Sequence, residues 1–476
     1  MYFMVSSRPS NGVTYPTMFP AVVALILFIA IILLIMLDVM DHTAAALIGG
    51  IIAIFYLASI WPTWRAVVIS ADPSSPYQLL PGHFNTEVFA YFFNKWVDLP
   101  TLILILSMLV ITEVSKDSGV FQFIVIKAIK FSGGDTRKLL IIFCLLSFGM
   151  TTILTQITTM LIMGTLIFLA CDALELNPAP YLISVALVTN VGGITSLIAS
   201  VPAMLIAGAT LYTFEWFIIN IMPLGLTLLA ITIFIVLRLF KTDFIVPRRS
   251  RVEDLLEIDE WELVPDRLVF YRTAILLIVI IVGFVTIGSL GLTFLVALGG
   301  ALAFVTFSGF RPGEIFKEIE WSVIFFFMGL FFLVGLLEEF GVLETIGHGI
   351  LALTGGNAFL ATFLMVWISG LTSGFVDNIP VTLTFIPVVQ VLSLGPPALP
   401  VGNLWASLLT GAVLGGCLTP IASAANVLAV TIAEKEERPL PKNTFLRTGV
   451  ILTLVFLLVS TGYLLVRILI FPIPAP

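Results

Sequence analysis

The stretch Ser369-Gly-Leu-Thr-Ser-Gly-Phe-Val-Asp377-Asn378-Ile-Pro380-Val-Thr382 sets one carboxylate among amides and hydroxyls inside an apolar run. Gly370 and Gly374 loosen a helix, and Pro380 removes a backbone donor and crowds the preceding turn. A charge within such a run is costly and needs a partner or a task. Asp377 could cap the helix that starts at Pro380; capping and ion binding are compatible roles. A second break follows at Gly415-Gly416-Cys-Leu-Thr419-Pro420-Ile-Ala-Ser423-Ala-Ala-Asn426. Its glycines and hydroxyls also suit simple helix packing in a bilayer. The first half of the chain has breaks at matching places with different chemistry. Thr155, Gln156 and Thr158 stand where the later strip has Asp, Asn and Pro. Asn190, Gly192, Gly193 and Thr195 lead to Ser200-Val-Pro202-Ala203, and Ala203 takes the place of Asn426.

The candidate ligands are therefore Asp377, Asn378, Thr382, Thr419, Ser423, Asn426, Thr155, Gln156, Asn190 and Thr195. They give one ionisable group among neutral oxygens. A hard cation such as Na⁺ suits carboxylate, amide and carbonyl oxygens, so Asp377 and Asn378 are the Na⁺ candidates. Burial favours the protonated carboxyl and a bound cation the ionised one. Competition of H⁺ and Na⁺ for one carboxylate yields antiport, with both as coupling or transported ions and no cofactor. No Lys or Arg stands in a break to neutralise an anion, although helix N-termini alone can hold one.

Those residues need helices across a bilayer to position them. Of 476 residues, 59% are hydrophobic and 11% charged, against roughly a quarter charged in soluble domains. The mean hydropathy is +1.14. This excludes a soluble enzyme and a disordered chain, and the net charge of −7 offers no basic field for nucleic acid. Cys144, Cys171 and Cys417 lie in apolar runs without metal-ligand spacing. A span takes about 20 apolar residues. The qualifying runs are Pro20–Leu37, Thr43–Ile60, Leu99–Val114, Leu139–Leu154, Ile157–Ala170, Pro180–Leu197, Phe214–Phe240, Leu268–Ile287, Leu290–Phe307, Trp321–Leu337, Phe359–Phe375, Ile379–Leu392, Leu404–Val430 and Phe445–Ile470. Some are half-spans, so the expectation is an all-α polytopic protein with about a dozen membrane-embedded helices. Pro20–Leu37 lacks signal-peptide anatomy and reads as a retained span. Pro62–Pro81 reads as a polar loop, and Trp61, Trp64 and Trp96 as interfacial anchors.

The two halves repeat each other. Lys116-Asp-Ser-Gly-Val-Phe121 precedes Glu338-Glu-Phe-Gly-Val-Leu343 by 222 residues, and Gly133-Gly134 precedes Gly355-Gly356 by the same number. With one residue more, Gly192-Gly193 meets Gly415-Gly416 and Ile198-Ala-Ser200 meets Ile421-Ala-Ser423. A nearly constant offset over so long a stretch argues for duplication, and duplication in a polytopic protein points to a secondary transporter with its site where helices break. The expected organisation is N-terminal spans and a polar loop over 1–94, a first repeat over 95–240, a charged linker over 241–267 and a second repeat over 268–476. Lys241, Arg248, Arg249, Arg251 and Arg267 make the linker the cytoplasmic candidate. Both it and the basic cluster Lys435–Arg447 read mainly as solvated segments.

Among the remaining polar groups, Asp38, Asp41 and His42 read as a turn, and Glu113, Lys116 and Asp117 as a lysine–acid cluster. Glu338 and Glu339 could lie on a proton route. Asp172 and Glu175 read as caps or solvent-facing groups. His348 is isolated. No phosphate-binding loop of the Gly-x-x-x-x-Gly-Lys-Ser/Thr kind is present, which argues against ATP-driven transport.

Together these pieces resemble the ion transporter superfamily, in the branch of NhaD-type sodium/proton antiporters, arsenite permeases and the melanosomal P protein, which share a citrate transporter-like domain. The resemblance runs over roughly residues 95–470. It rests on Asp98-Leu-Pro-Thr-Leu, Thr112-Glu-Val-Ser-Lys-Asp-Ser-Gly-Val-Phe, the Phe326–Val342 strip, Asp377-Asn-Ile-Pro, Gly415-Gly416…Asn426 and Ala433-Glu-Lys-Glu. It implies two inverted repeats, each with a scaffold part and a transport part carrying a re-entrant hairpin. It also implies a homodimer working by an elevator motion, embedded in the plasma membrane with a small ion as substrate. Asp377, Asn378 and Asn426 carry over directly. Thr155-Gln156 departs from the branch's usual Asp-Asn, and Ala199–Ala203 from its Gly-Asp-Pro-Pro-Asn. The expected function is proton-coupled Na⁺/H⁺ antiport. The alternatives are an anion or oxyanion permease for arsenite or a carboxylate, and a passive channel, against which the duplicated breaks argue.

Overall fold

The structure, a computed structural model, describes residues 18–36, 39–71, 75–210, 212–245, 247–257, 259–262, 264–394 and 399–475. Asp38 lies outside them. The described residues form helices joined by short connections. The chain begins with α1 (Met18–Met36), α2 (His42–Ala71) and α3 (Thr86–Trp96). Next come α4 (Leu99–Asp117), α5 (Val120–Phe131), α6 (Thr136–Ile153), α7 (Gln156–Leu174), α8 (Ala179–Gly192) and α9 (Val201–Thr210). Then α10 (Phe214–Asn220), α11 (Met222–Leu239), the short linker helix α12 (Arg249–Glu257), α13 (Arg267–Thr286) and α14 (Thr293–Phe307) follow. The remainder is α15 (Pro312–Glu318), α16 (Trp321–Glu339), α17 (Val342–Thr354), α18 (Ala358–Ser373), α19 (Asn378–Leu394), α20 (Val401–Gly415), α21 (Ala424–Lys435) and α22 (Lys442–Ile470).

Among the described residues, eight helices are long and apolar enough to cross a membrane, or nine if α9 and α10, bent by 112°, are one broken span. Shorter apolar helices, including α8 and α18 to α20, fall below a full span by length. The run Leu404–Val430 is not one helix. It stops at Gly415 and restarts at Ala424, where the glycines and Pro420 interrupt it.

The duplication is visible in the backbone. Starts of α4, α5, α6, α7 and α8 precede those of α16, α17, α18, α19 and α20 by 222 residues, and α9 precedes α21 by 223. The left-handed glycines pair the same way: Gly119 (φ 79°) with Gly341 (72°), Gly133 (59°) with Gly355 (57°), and Gly134 (80°) with Gly356 (73°). Side chains with a Cβ rarely adopt this region. Caps pair too. Asp135 accepts from the N–H of Arg137 and Lys138 at 2.9 and 3.2 Å, and Asn357 from those of Phe359 and Leu360 at 2.9 and 3.1 Å. The two copies start this helix, α6 in one and α18 in the other, with the same local device.

Contacts divide the chain into two compact units. The first comprises the chain up to Asp98 with Phe325–Val342; the second comprises Leu99–Ile324 with Leu343–Pro476. The first unit corrects two expectations. Pro62 sits inside α2, which runs on to Ala71 instead of ending in a loop. That extension is held from the side: Trp61 Nε1 donates to the Pro81 carbonyl at 3.0 Å, and Arg65 donates to those of Tyr77 and Gln78 at 2.9 and 3.1 Å. Trp61, Trp64 and Trp96 are no exposed belt; all three are buried. Trp61 meets the rings of Tyr77 and Phe92 edge-on, Trp64 meets Phe340, and Trp96 packs on Phe92.

Inside that aromatic box lies a buried ion pair. Glu339 accepts from Lys95 Nζ at 2.6 Å, from the Tyr77 hydroxyl at 2.5 Å and from Trp64 Nε1 at 3.4 Å. The Glu339 side chain is fully buried and that of Lys95 is 29% exposed. Burial alone would lower the Lys95 pKa, but Glu339 and Tyr77 reverse this and hold it well above its ordinary value.

Candidate functional site

The candidate ligands all belong to the second unit. There α6 and α18 each end in a break, after which α7 and α19 begin. At the first break Leu154 and Thr155 are extended, and the Thr155 hydroxyl accepts from the N–H of Thr158 at 3.3 Å. It also shares a hydrogen bond with the Thr158 hydroxyl at 3.1 Å. At the matching position, Asp377 Oδ1 accepts from the N–H of Ile379 at 2.8 Å. Asp377 thus does cap its helix. It is half-buried, whereas Asn378 is 3% exposed. The Asn378 Nδ2 has no hydrogen-bond partner, an expensive state for a buried donor. Thr382 donates to the Asn378 carbonyl at 2.8 Å, one turn along.

The other two breaks follow α8 and α20. Ser200 and Ser423 cap the restarting helices, accepting from the N–H of Ala203 at 3.3 Å and of Asn426 at 3.4 Å. The breaks of one copy are tied to each other. The N–H of Gln156 donates to the Ala199 carbonyl at 3.1 Å, and Ser196 Oγ to the Thr152 carbonyl at 2.7 Å. In the second copy, Thr419 donates to the Gly374 carbonyl at 3.0 Å. Close packing of α18 on α20 depends on missing side chains. A Cβ on Gly415 would come within 2.1 Å of the Gly370 carbonyl oxygen.

Three amides then join the two copies. Gln156 Nε2 donates to Asn190 Oδ1 at 3.3 Å and to the Thr189 carbonyl at 3.4 Å. Asn190 Nδ2 donates to Asn426 Oδ1 at 3.1 Å and to the Ala186 carbonyl at 2.9 Å. Asn426 Nδ2 donates to the carbonyls of Gly416 and Thr419 at 2.8 and 2.9 Å. Asn190 and Asn426 are wholly buried, and Gln156 is 6% exposed. Gly193 makes room for this chain, since a Cβ there would stand 2.2 Å from Gln156 Nε2. Thr195 is linked on the other side, sharing a hydrogen bond with the Thr152 hydroxyl at 2.9 Å and donating to the Gly192 carbonyl at 2.6 Å.

The geometry thus brings Gln156, Asn190, Asn426 and Thr419 into one continuous run reaching Gly374, three residues before Asp377. Thr155, Thr382 and Thr195 use their hydroxyls locally at helix ends. Among the described residues no group of three or more His, Cys, Asp or Glu could hold a metal ion, so the oxygen set is one of neutral groups beside a single acid. Such a set can hold a weakly polarising cation or a proton, or offer donors to an oxygen-bearing solute.

Sequence reasoning read Glu338 and Glu339 as acids that could lie on a proton route and missed Lys95 as the partner of Glu339. It read Asp172 and Glu175 as caps or solvent-facing acids. Glu175 does cap α7, and both are also paired, Asp172 with Arg438 at 2.5 Å and Glu175 with Arg251 at 2.6 Å. The lysine–acid cluster is present: Lys116 pairs with Glu113 and lies 3.8 Å from Asp117.

Comparison with known proteins agrees with this picture. The family model described as CitMHS, citrate transporter, matches residues 32–411. An uncharacterized transporter of Mycobacterium tuberculosis is 30% identical over 81% of this chain and 90% of its own length. The 46 kDa membrane protein of Mycobacterium leprae is 28% identical over 94% of this chain and 99% of its own. The human P protein is 25% identical over 91% of this chain, which spans 58% of that protein's length. In fold, the crystal structure of the YdaH transporter of Alcanivorax borkumensis aligns with a TM-score of 0.57 at 15% identity, covering 90% of this chain and 99% of that one. The match to the family model and to the mycobacterial transporters, with a bundle of apolar helices long enough to cross a membrane, identifies a multi-pass membrane transporter rather than an enzyme, and the chain belongs to the citrate transporter family.

Proposed function

We propose that the chain is a proton-coupled secondary transporter exchanging Na⁺ for H⁺ through Asp377. The supporting observation is the setting of that carboxylate: one titratable group at a helix break, beside a cross-copy run of neutral amide and hydroxyl groups. Proton and cation would compete for it, and neither would leave a second uncompensated charge behind. Thr155, Gln156, Asn190, Thr195, Asn378, Thr382, Thr419, Ser423 and Asn426 would supply oxygens to the ion or fix those that do. In this reading the duplicated copies are inverted, the broken-helix parts move against the rest as an elevator, and the protein works as a homodimer in the plasma membrane.

One observation favours a second reading, an anion permease of the same fold. The buried Asn378 Nδ2 lacks an acceptor at the N-terminal end of α19, where a carboxylate oxygen would find both a donor and a favourable dipole. The family's description as citrate transporter points the same way.

Proteoliposomes separate the two. With a preset inward-acid proton gradient, external Na⁺ or Li⁺ is expected to release protons, and Asp377→Asn to abolish the release while leaving a folded protein. No cation-driven release together with saturable citrate counterflow would replace the first reading by the second.

A further inference from the structure

The charged linker between the copies is exposed over much of its length but is tied down at several points. On α12, Arg251 pairs with Glu175 at 2.6 Å, at the C-terminal cap of α7. Beyond α12, Glu260 pairs with Lys130 at 2.7 Å, in the last turn of α5. Between these pairs Val252 fills the space over Gly134, with a methyl 2.4 Å from where a Cβ would stand. Trp261 packs on Phe123 of α5 and Phe270 of α13, and the Arg267 guanidinium covers its ring at 4.7 Å. The linker therefore grips two separate pieces: α5, which leads into the α6–α7 hairpin, and the far end of that hairpin.

The grip is one-sided. Gly356 repeats the left-handed turn of Gly134, but Ala352 stands where Lys130 would recur, so that ion pair has no counterpart in the second copy. The α7 end is pinned from a second direction by Arg438, which pairs with Asp172 at 2.5 Å. Between these contacts opens a cleft of about 470 Å³ lined in part by Cys171, Asp172, Glu175 and Arg438. Glu175 and Glu437, which flank it, are non-glycine residues in left-handed backbone (φ 54° and 55°), a strained conformation that persists only where surroundings enforce it.

We propose that the linker is a charge-latched strap on the first copy alone. Its two ion pairs, Arg251–Glu175 and Glu260–Lys130, hold the α7 end of the hairpin to α5, and opening them releases that end from α5 and leaves Arg438 as its remaining charged tie. This stands apart from the choice of transported ion.

The test uses the native thiols of the full-length purified protein. Cys171 is buried at the latch, while Cys144 and Cys417 are buried elsewhere. Modification by N-ethylmaleimide is followed for each cysteine by peptide mass spectrometry. Arg251→Glu with Glu260→Lys should speed modification of Cys171 several-fold, up to about tenfold, the scale set by two partly exposed ion pairs. Cys144 and Cys417 should keep their rates. Adding Glu175→Arg and Lys130→Glu, which restores both pairs with signs exchanged, should return Cys171 to its original rate. Wild-type protein in 1 M NaCl, where screening acts within about 3 Å, should resemble the reversal variant. The strap is refuted if Cys171 ignores both reversal and salt, if all three thiols speed up together, or if the exchanged pairs do not restore protection. None of these readouts depends on transport, so failure of the antiport reading is seen separately, in the proton-release assay.

Discussion

Replacing Glu339 by alanine tests the buried ion pair most directly. The change removes the acceptor of three donors at once: Lys95 Nζ, the Tyr77 hydroxyl and Trp64 Nε1. Stranding a buried charge costs about 3–5 kcal/mol. The Lys95 side chain keeps 29% exposure and its ammonium can still donate toward water, so the lower end applies, about 3 kcal/mol. That loss is read as a fall in melting temperature. Emission from Trp61, Trp64 and Trp96, which surround the pair, reports the transition during heating in detergent. The paired replacement Lys95→Met with Glu339→Leu removes both charges and should lie within about 1 kcal/mol of the parent, since an apolar pair avoids the desolvation cost. The reasoning fails if Glu339→Ala costs no more than a surface substitution, or if the double replacement is as damaging as the sum of the single ones. The pH profile adds a sign. Lys95 is raised above its ordinary value of 10.5, so its contribution is fully present below that pH. It is lost only as pH rises from 10.5 through the folded value. Between pH 6 and 10 the melting temperature should show no step from this lysine.

Three further outcomes follow from the second unit. Gly193→Ala should push Gln156 Nε2 off Asn190 and is expected, as is Gln156→Leu, to lower transport while the protein still purifies as a folded species; normal transport by both variants would separate the amide from function. Asn190→Leu leaves Asn426 Oδ1 without its donor and should cost about 1–3 kcal/mol, measured by thermal unfolding, whereas Thr165→Val, on a half-exposed hydroxyl bonded only within its own helix, should cost less than about 0.5 kcal/mol. Glu260 is held below its usual 4.5, first by its hydrogen bond to Lys130. Its contribution is therefore present above pH 4.5 and is lost as pH falls below that. Acidification from pH 6 to 3.5 should change Trp261 emission in the wild type but not in Lys130→Ala.

The duplication and all four breaks could be read from residues because the devices that make them are local. Gly133-Gly134, Gly192-Gly193 and Asp377-Asn-Ile-Pro act through backbone conformation, missing donors and caps, each within a few positions. The extension of α2 past Pro62 was not legible, because what sustains it is Trp61 and Arg65 reaching a segment more than ten residues away. Glu339 could be read only as an acid that could lie on a proton route, because nothing near it in sequence names Lys95 as its partner, 244 residues earlier. The linker shows the same limit in another form. Its charges look solvated by composition, and only the positions of Glu175 and Lys130 reveal them as paired. For the candidate ligands, membership could be read from type and spacing, but the order in which Gln156, Asn190 and Asn426 meet depends on how the copies pack.

The amides at the junction of the two copies neither gain nor lose a proton between mild acid and mild alkali, so that joint is held with the same strength on either side of an acidity gradient. In the proposed exchange, a frame made of two like halves would offer alternative shapes of similar energy, each half taking the posture of the other. In such a balanced frame, small inputs tip the outcome. Under the proposed exchange, one acid on one half would couple the choice between such postures to the acidity of the compartment it faces.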